Sequence, residues 1–175
     1  MWLHTVNSPI GALYLTGEGE AVTGLYFRQP AGSFDPPGDL GREAEAQLRA
    51  YFAGERRNFD LPLRPEGTDF QKAVWQALRT IPYGETRSYG QIAAGIGRPR
   101  ACRAVGMANH RNPISILIPC HRVVGSDGCL TGYGGGLERK AALLALERGE
   151  GVSARWAPRA PRALDSGEEL GYNER

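Results

Sequence analysis

The residues best suited to chemistry lie in Ile118-Pro119-Cys120-His121-Arg122-Val123-Val124, where a thiol, an imidazole and a guanidinium are consecutive. A cysteine reacts as its thiolate, and neighbouring positive charge favours that form. The triplet follows an apolar run, Ile114-Ser115-Ile116-Leu117-Ile118, whose β-branched content predicts a buried strand or extended segment. On such a segment adjacent side chains point to opposite faces, so Cys120 and His121 need not touch. A water between them then carries the proton. Glu147, at the end of a later helix, is a candidate carboxylate to orient the imidazole, completing a nucleophile–base–carboxylate set. The competing reading is a small buried inert cysteine and a solvated glutamate.

Two further groups could meet a ligand. Short helices predicted over Ser88–Ala94 and Arg100–His110, separated by Gly95-Ile96-Gly97, have the pattern of a helix-turn-helix. The second carries Arg100, Arg103 and His110 among the small residues Ala101, Ala104, Gly106 and Ala108. Small residues let a helix approach a groove closely, while long basic chains reach phosphates or bases. The bland alternative is a pair of core helices with a basic edge. The other group is the loop Thr131-Gly132-Tyr133-Gly134-Gly135-Gly136, where backbone could approach a ligand and Tyr133 could stack on a base or fill core. It matches neither GxxxxGK[ST] nor GxGxxG, so a nucleotide-phosphate role is unsupported.

The elements that must position these groups are legible in outline. Strands are predicted at Trp2–Val6, Ile10–Thr16 and Val22–Arg28, broken by Ser8-Pro9 and Gly17-Glu18-Gly19-Glu20, which suggests a small antiparallel sheet. A loop over 29–39 leads to a helix over 40–53 with Ala44, Leu48, Tyr51 and Phe52 on one apolar face. Thr68-Asp69-Phe70-Gln71 is a capping-box pattern opening a helix that Pro82-Tyr83-Gly84 ends. A last helix runs from Leu137 to Glu147. The expected class is α+β: an N-terminal antiparallel sheet with a helix over residues 1–66, then a mainly helical region over 67–149. Residues 150–175, rich in Arg, Pro, Gly and Glu, read as a flexible tail.

Composition narrows the setting. The net charge of +2 hides polarity: residues 1–69 carry −4, residues 70–148 carry +7, and residues 149–175 carry −1. A basic middle segment suggests an anionic partner, nucleic acid first, against the alternative of a merely solvated basic face. Three scattered cysteines, Cys102, Cys120 and Cys129, and three histidines give neither a disulfide framework nor zinc-ligand spacing. No apolar run approaches the roughly 20 residues that span a bilayer, and the N-terminus lacks a signal-peptide pattern. A cytoplasmic protein without membrane contact is expected.

Together, Pro119-Cys120-His121-Arg122-Val123, Arg103-Ala104-Val105-Gly106, Asn112-Pro113, Tyr133, Gly135-Gly136-Leu137 and the helix ending at Glu147 resemble the O6-alkylguanine-DNA alkyltransferases. The resemblance runs from about Thr68 to Glu147, and the preceding strands and helix fit that family's ribonuclease H-like N-terminal domain. It implies a direct-reversal repair protein whose partner is double-stranded DNA carrying O6-alkylguanine, with O4-alkylthymine a second candidate base. The damaged base is flipped into a pocket, and the Cys120 thiolate takes its alkyl group in a single irreversible turnover. By the same resemblance, His121 receives the thiol proton through a water and Glu147 holds His121. Tyr89 crowds a phosphate and donates a proton toward the guanine. Arg103 fills the space the base leaves, with Arg100 and Ala104 on the same DNA-facing element. Asn112 acts as a hinge, the carbonyls of Cys120 and Val123 read the guanine amino group, and Tyr133 and Gly134 line the pocket. The implied protein is a monomer with cooperative binding on DNA left open, and it needs no cofactor.

The departures have consequences. Some relatives hold zinc through N-terminal cysteines and histidines, whereas only His4 is present here, so no metal is expected. Gly134 stands where some relatives carry a serine that contacts the base, which leaves backbone to do that work and widens the pocket for larger alkyl groups. No zinc-dependent sensor-regulator role is expected. Two other readings are a non-catalytic alkylated-base-binding protein of the same fold and an unrelated cysteine hydrolase. Known binders of the first kind lack the cysteine, and a sequence-adjacent Cys-His pair is not the usual protease geometry.

Overall fold

The computed structural model describes residues 1–151, so the expected tail over 150–175 lies almost wholly outside the described residues. Three antiparallel strands open the chain: β1 (Trp2–Ser8), β2 (Gly11–Glu18) and β3 (Ala21–Tyr26), in the order β1-β2-β3. Their register runs from Trp2 opposite Gly17 to Ser8 opposite Gly11, and from Tyr14 opposite Tyr26 to Glu18 opposite Ala21. The second ladder shifts register between Thr16 and Gly17. A glycine is required there, since a Cβ on Gly17 would fall 2.0 Å from the Trp2 ring.

Helix α1 (Asp39–Phe52) buries Ala44, Leu48 and Tyr51 on the face that the sequence pattern marked. Helix α2 (Asp69–Leu78) begins with the expected capping box: Thr68 Oγ1 accepts from the Gln71 N–H at 3.1 Å, and Gln71 Oε1 accepts from the Thr68 N–H at 3.0 Å. The two-residue strand β4 (Arg87–Ser88) leads into α3 (Tyr89–Gly95), followed by α4 (Cys102–His110). A second capping box, Ser88 with Gln91, opens α3. Ser88 is therefore the cap rather than the first helical residue.

Helix α4 starts two residues later than its pattern predicts. The Ala101 N–H bonds the Arg98 carbonyl at 2.9 Å, which closes a turn over Arg98–Ala101 and leaves Arg100 ahead of the helix. Trp75 ties α2 to α4 by donating from its indole Nε1 to the Ala108 carbonyl at 2.8 Å. The parallel strand β5 (Val123–Val124) pairs with β4, and α5 (Leu137–Glu147) closes the described chain.

The segment Ile114–Ile118 is buried as expected but is not a strand. Ile116 has φ 71°, a left-handed conformation rare for a β-branched residue and costing roughly 1–3 kcal/mol. The Ile118 N–H bonds the Ile114 carbonyl at 3.0 Å, so the run folds into a tight turn. Its start bridges to β3, where the Leu25 N–H donates to the Pro113 carbonyl at 2.9 Å. The buried Asn112 side chain holds the rest: its Oδ1 accepts from the Ile114 N–H at 3.0 Å and its Nδ2 donates to the Ile118 carbonyl at 2.8 Å. Pro119 has no N–H to continue a ladder. Cys120–Arg122 then forms one 3-10 turn. A single cluster of buried apolar residues runs from Trp2 through Val74, Ile114 and Cys120 to Leu146.

Candidate active site

Cys120 sits at the start of that turn with 4% of its surface exposed, packed among apolar neighbours. Burial pushes its thiol above the ordinary value, while Asn112, the Lys140 ammonium and Ser115 beside it act in the opposite direction. Adjacent positive charge does not win here, contrary to the sequence expectation, because Arg122 is turned away toward Glu147. The site therefore stores the cysteine as a thiol and depends on a base to release the thiolate.

The candidate for that base is the adjacent His121. His121 is fully buried, and its Nε2 lies 2.8 Å from Glu147 Oε2. Burial holds the imidazole below its ordinary range, Glu147 pulls it upward, and Arg122 and Lys140 push it down again. Burial would raise the Glu147 carboxyl, but His121 and Arg122 outweigh it and hold that group well below the usual carboxylate range. An ionised Glu147 accepts only, so His121 donates from Nε2. Its Nδ1 is left as an acceptor, buried and without a protein partner. Burial thus favours the neutral imidazole, with no protein group bonded to Nδ1.

Glu147 is bound from several elements. Arg122 donates Nε to Oε1 at 2.7 Å and Nη2 to Oε2 at 3.0 Å, a bidentate pair, while its Nη1 donates to the Ile81 carbonyl at 2.7 Å. Tyr51 donates its hydroxyl to Oε2 at 2.6 Å. The Gly84 N–H approaches Oε1 at 3.5 Å from a turn that needs φ +81°, where a Cβ would lie 3.2 Å from the Glu147 carbonyl. The sequence marks Glu147 but gives Arg122 no place beside it, and Tyr51 reads there as a core residue. Both partners come from distant parts of the chain.

Tyr89, the first residue of α3, is half-buried and shares a 2.6 Å hydrogen bond with the Thr131 hydroxyl. Burial raises its phenol, the Thr131 bond opposes this, and the nearby thiols of Cys120 and Cys102 add to the rise. Lys140, on α5, is buried and donates to the Thr131 carbonyl at 3.0 Å. Burial lowers its ammonium to about 8, partly countered by Cys120. Thr131 thus links Tyr89 to Lys140 across the glycine-rich loop; it opens the loop that the sequence marks, whereas Lys140 carries no motif of its own. Tyr133 is buried edge-on to Phe27, with ring centroids 5.7 Å apart. Val123 is buried in β5. The Cys120 carbonyl accepts from the Val123 N–H and, at 3.4 Å, from Asn109 Nδ2.

The remaining candidates lie outward. Arg103 and Ala104 are exposed on α4, Arg100 is exposed in the preceding turn, and Gly134 is exposed with open space around it. Gly106 faces the Tyr89 ring, so α4 and the start of α3 meet beside the thiol. The site is a buried reactive centre with a basic, small-residue helix face outside it. His4 is occupied by Glu45, and among the described residues no three His, Cys, Asp or Glu side chains gather where a metal could bind.

Residues 69–149 match a family profile described as the DNA binding domain of 6-O-methylguanine DNA methyltransferase, and residues 1–65 match its ribonuclease-like domain. The chain belongs to this family. It is 54% identical over 153 residues to the methylated-DNA–protein-cysteine methyltransferase of Methanosarcina barkeri, spanning 84% of this chain and 97% of that one. The Mycobacterium bovis protein of the same name is 55% identical over 152 residues, spanning 82% of this chain and 90% of its own. Among solved structures, Mycobacterium tuberculosis OGT in complex with DNA superimposes with TM-score 0.81 at 53% identity, covering 86% of this chain and 95% of that one. The family's α+β architecture is the one described above. Among the described residues no helix is long and apolar enough to cross a membrane.

Proposed function

We propose that this alkyltransferase repairs double-stranded DNA by moving the alkyl group from O6 of a flipped guanine to Cys120, once per molecule. The observation that carries the reading is the burial of Cys120, His121 and Glu147 together, with His121 Nε2 on Glu147 and no protein group bonded to its Nδ1. His121 takes the thiol proton through a bridging water. The thiolate sulfur attacks the alkyl carbon, a C–S bond forms, and the carbon–O6 bond breaks with its electron pair leaving on guanine. Tyr89 supplies a proton toward that guanine, and the positive charge gathering on His121 is stabilised by Glu147. The product thioether has no good leaving group, so the protein is consumed.

The outer face serves binding. Helices α3 and α4 act as a helix-turn-helix whose exposed Ala104 lets the backbone near the DNA, while Arg103 occupies the space vacated by the base and Arg100 adds a phosphate contact. Asn112 is the hinge between α4 and the reactive turn, a role supported by its bonds to Ile114 and Ile118. The Val123 carbonyl, Tyr133 and Gly134 line the base pocket. In this division residues 67–149 bind and react while residues 1–66 support them, and the protein works in the cytoplasm as a monomer.

The test is duplex DNA carrying O6-methylguanine with a labelled methyl group. Label is expected on the protein, and none on Cys120→Ala. Label on that variant, or tight lesion binding by the unaltered protein without transfer, overturns the reading.

A further inference from the structure

Tyr51 lies in α1, 96 residues from Glu147 in sequence, yet its hydroxyl makes the shortest of the bonds to that carboxylate. Its ring is wedged among Phe52 and Phe59, each at 5.2 Å, and Tyr83 at 6.1 Å, so the hydroxyl has a fixed direction. The bond falls on Oε2, the oxygen that also accepts from His121 Nε2 at 2.8 Å and Arg122 Nη2 at 3.0 Å. Three donors therefore divide the charge of one oxygen. A phenylalanine would fill the same aromatic space, so packing alone does not call for the hydroxyl. Burial, with the Glu147 charge beside it, keeps the phenol protonated and hence a donor.

We infer that Tyr51 is a positioning residue for alkyl transfer: its hydroxyl takes a share of the Glu147 Oε2 charge and thereby sets how readily His121 accepts a proton. The region otherwise assigned to support would then tune the reaction directly. The charged and titratable groups bearing on His121 and Glu147 are Arg122 from the same turn, Lys140 from α5, Tyr83 from the turn after α2, Tyr133 from the glycine-rich loop, and Tyr51 from α1. Among them Tyr51 is the one neutral group that shares the oxygen holding His121. Removing its hydroxyl returns charge to that oxygen, which favours the imidazolium. The inference rests on His121 being the base for Cys120.

The experiment uses the full chain as Tyr51→Phe and, separately, with 3-fluorotyrosine at position 51, a stronger donor that preserves the ring packing. Two readouts are taken: the acid limb of the single-turnover transfer rate, and the His121 ring titration by nitrogen NMR, which needs no transfer. For Tyr51→Phe both move upward together by about half a pH unit, a ~3-fold slower transfer on the acid limb. Fluorotyrosine moves both the other way. A uniform drop in rate with the limb and the His121 titration unmoved overturns the inference while leaving the alkyltransferase reading intact. His121 titrations that move as described, in a protein that transfers no label, support the Tyr51 link and overturn the base role instead.

Discussion

The outer face of α3 and α4 and the buried turn at Cys120 lie next to each other but are held by different physics. Helix α3 is set by a local device: Ser88 and Gln91 cap each other three residues apart, and the cost of losing the cap stays local. The reactive turn combines a local device, the Asn112 side chain bonded two and six residues along the chain, with contacts from far away. Ile116 is held in a left-handed conformation, and Glu147 gathers Tyr51, Gly84, His121 and Arg122 from across the chain. A surface that meets DNA can be built from helix ends and small residues. A buried base needs its charges fixed from all sides, because an unpaired charge there is costly.

Changes to the buried turn should therefore be global in effect, and changes to the helix face local. The largest effect is expected for Glu147→Gln, which strips the carboxylate from buried Arg122 and His121. Removing one partner of such a pair costs about 3–5 kcal/mol, read from urea unfolding, and transfer should fall sharply in the protein that still folds. A loss under 1 kcal/mol would break the contrast between the two regions.

Acidity probes the same centre. His121 is held below its ordinary range in the fold, so the unfolded chain binds the proton first as pH drops. Stability is then fully present above about 6.5 and declines below it by up to about 1.4 kcal/mol per pH unit. Glu147, also depressed in the fold, adds loss in the same direction once pH falls below the ordinary carboxylate range near about 4.3. Stability that rises on mild acidification would contradict a buried neutral His121.

On the outer face, Ser88→Ala removes a cap and should cost about 1 kcal/mol in unfolding, with little change in transfer at saturating DNA. Arg103→Ala, exposed on α4, should leave stability within about 0.5 kcal/mol while weakening lesion-duplex binding. If Arg103→Ala destabilises the fold as much as Glu147→Gln, the two regions are not separable.

The same contrast explains what could be read from the sequence. The cap of α2, the apolar face of α1, the helix pair and the Cys-His-Arg triplet are patterns within a few residues, and the sheet follows its glycine and proline breaks. Ile114–Ile118 reads as a strand because β-branched residues fit one, and nothing in the run itself shows that Asn112 will fold it into a turn. Arg122 reads as a charge beside the thiol until Glu147 and the Ile81 carbonyl claim its guanidinium. Tyr51 and Lys140 lie on apolar helix faces, where a hydroxyl or an ammonium carries no periodic signal. Arg122 and Tyr51 become functional candidates only when contacts 25 to 96 residues apart form, and Lys140 only when the glycine-rich loop folds back onto α5.

The central claim is that this centre uses Cys120 once. The most direct measurement titrates the protein with excess duplex bearing O6-methylguanine and follows both the lesions repaired and the mass of the Cys120 peptide. The account predicts a plateau at one lesion per protein molecule, with one methyl group on that peptide and none on those containing Cys102 or Cys129. Repair continuing past one per molecule, or a methyl group on another cysteine, would contradict it.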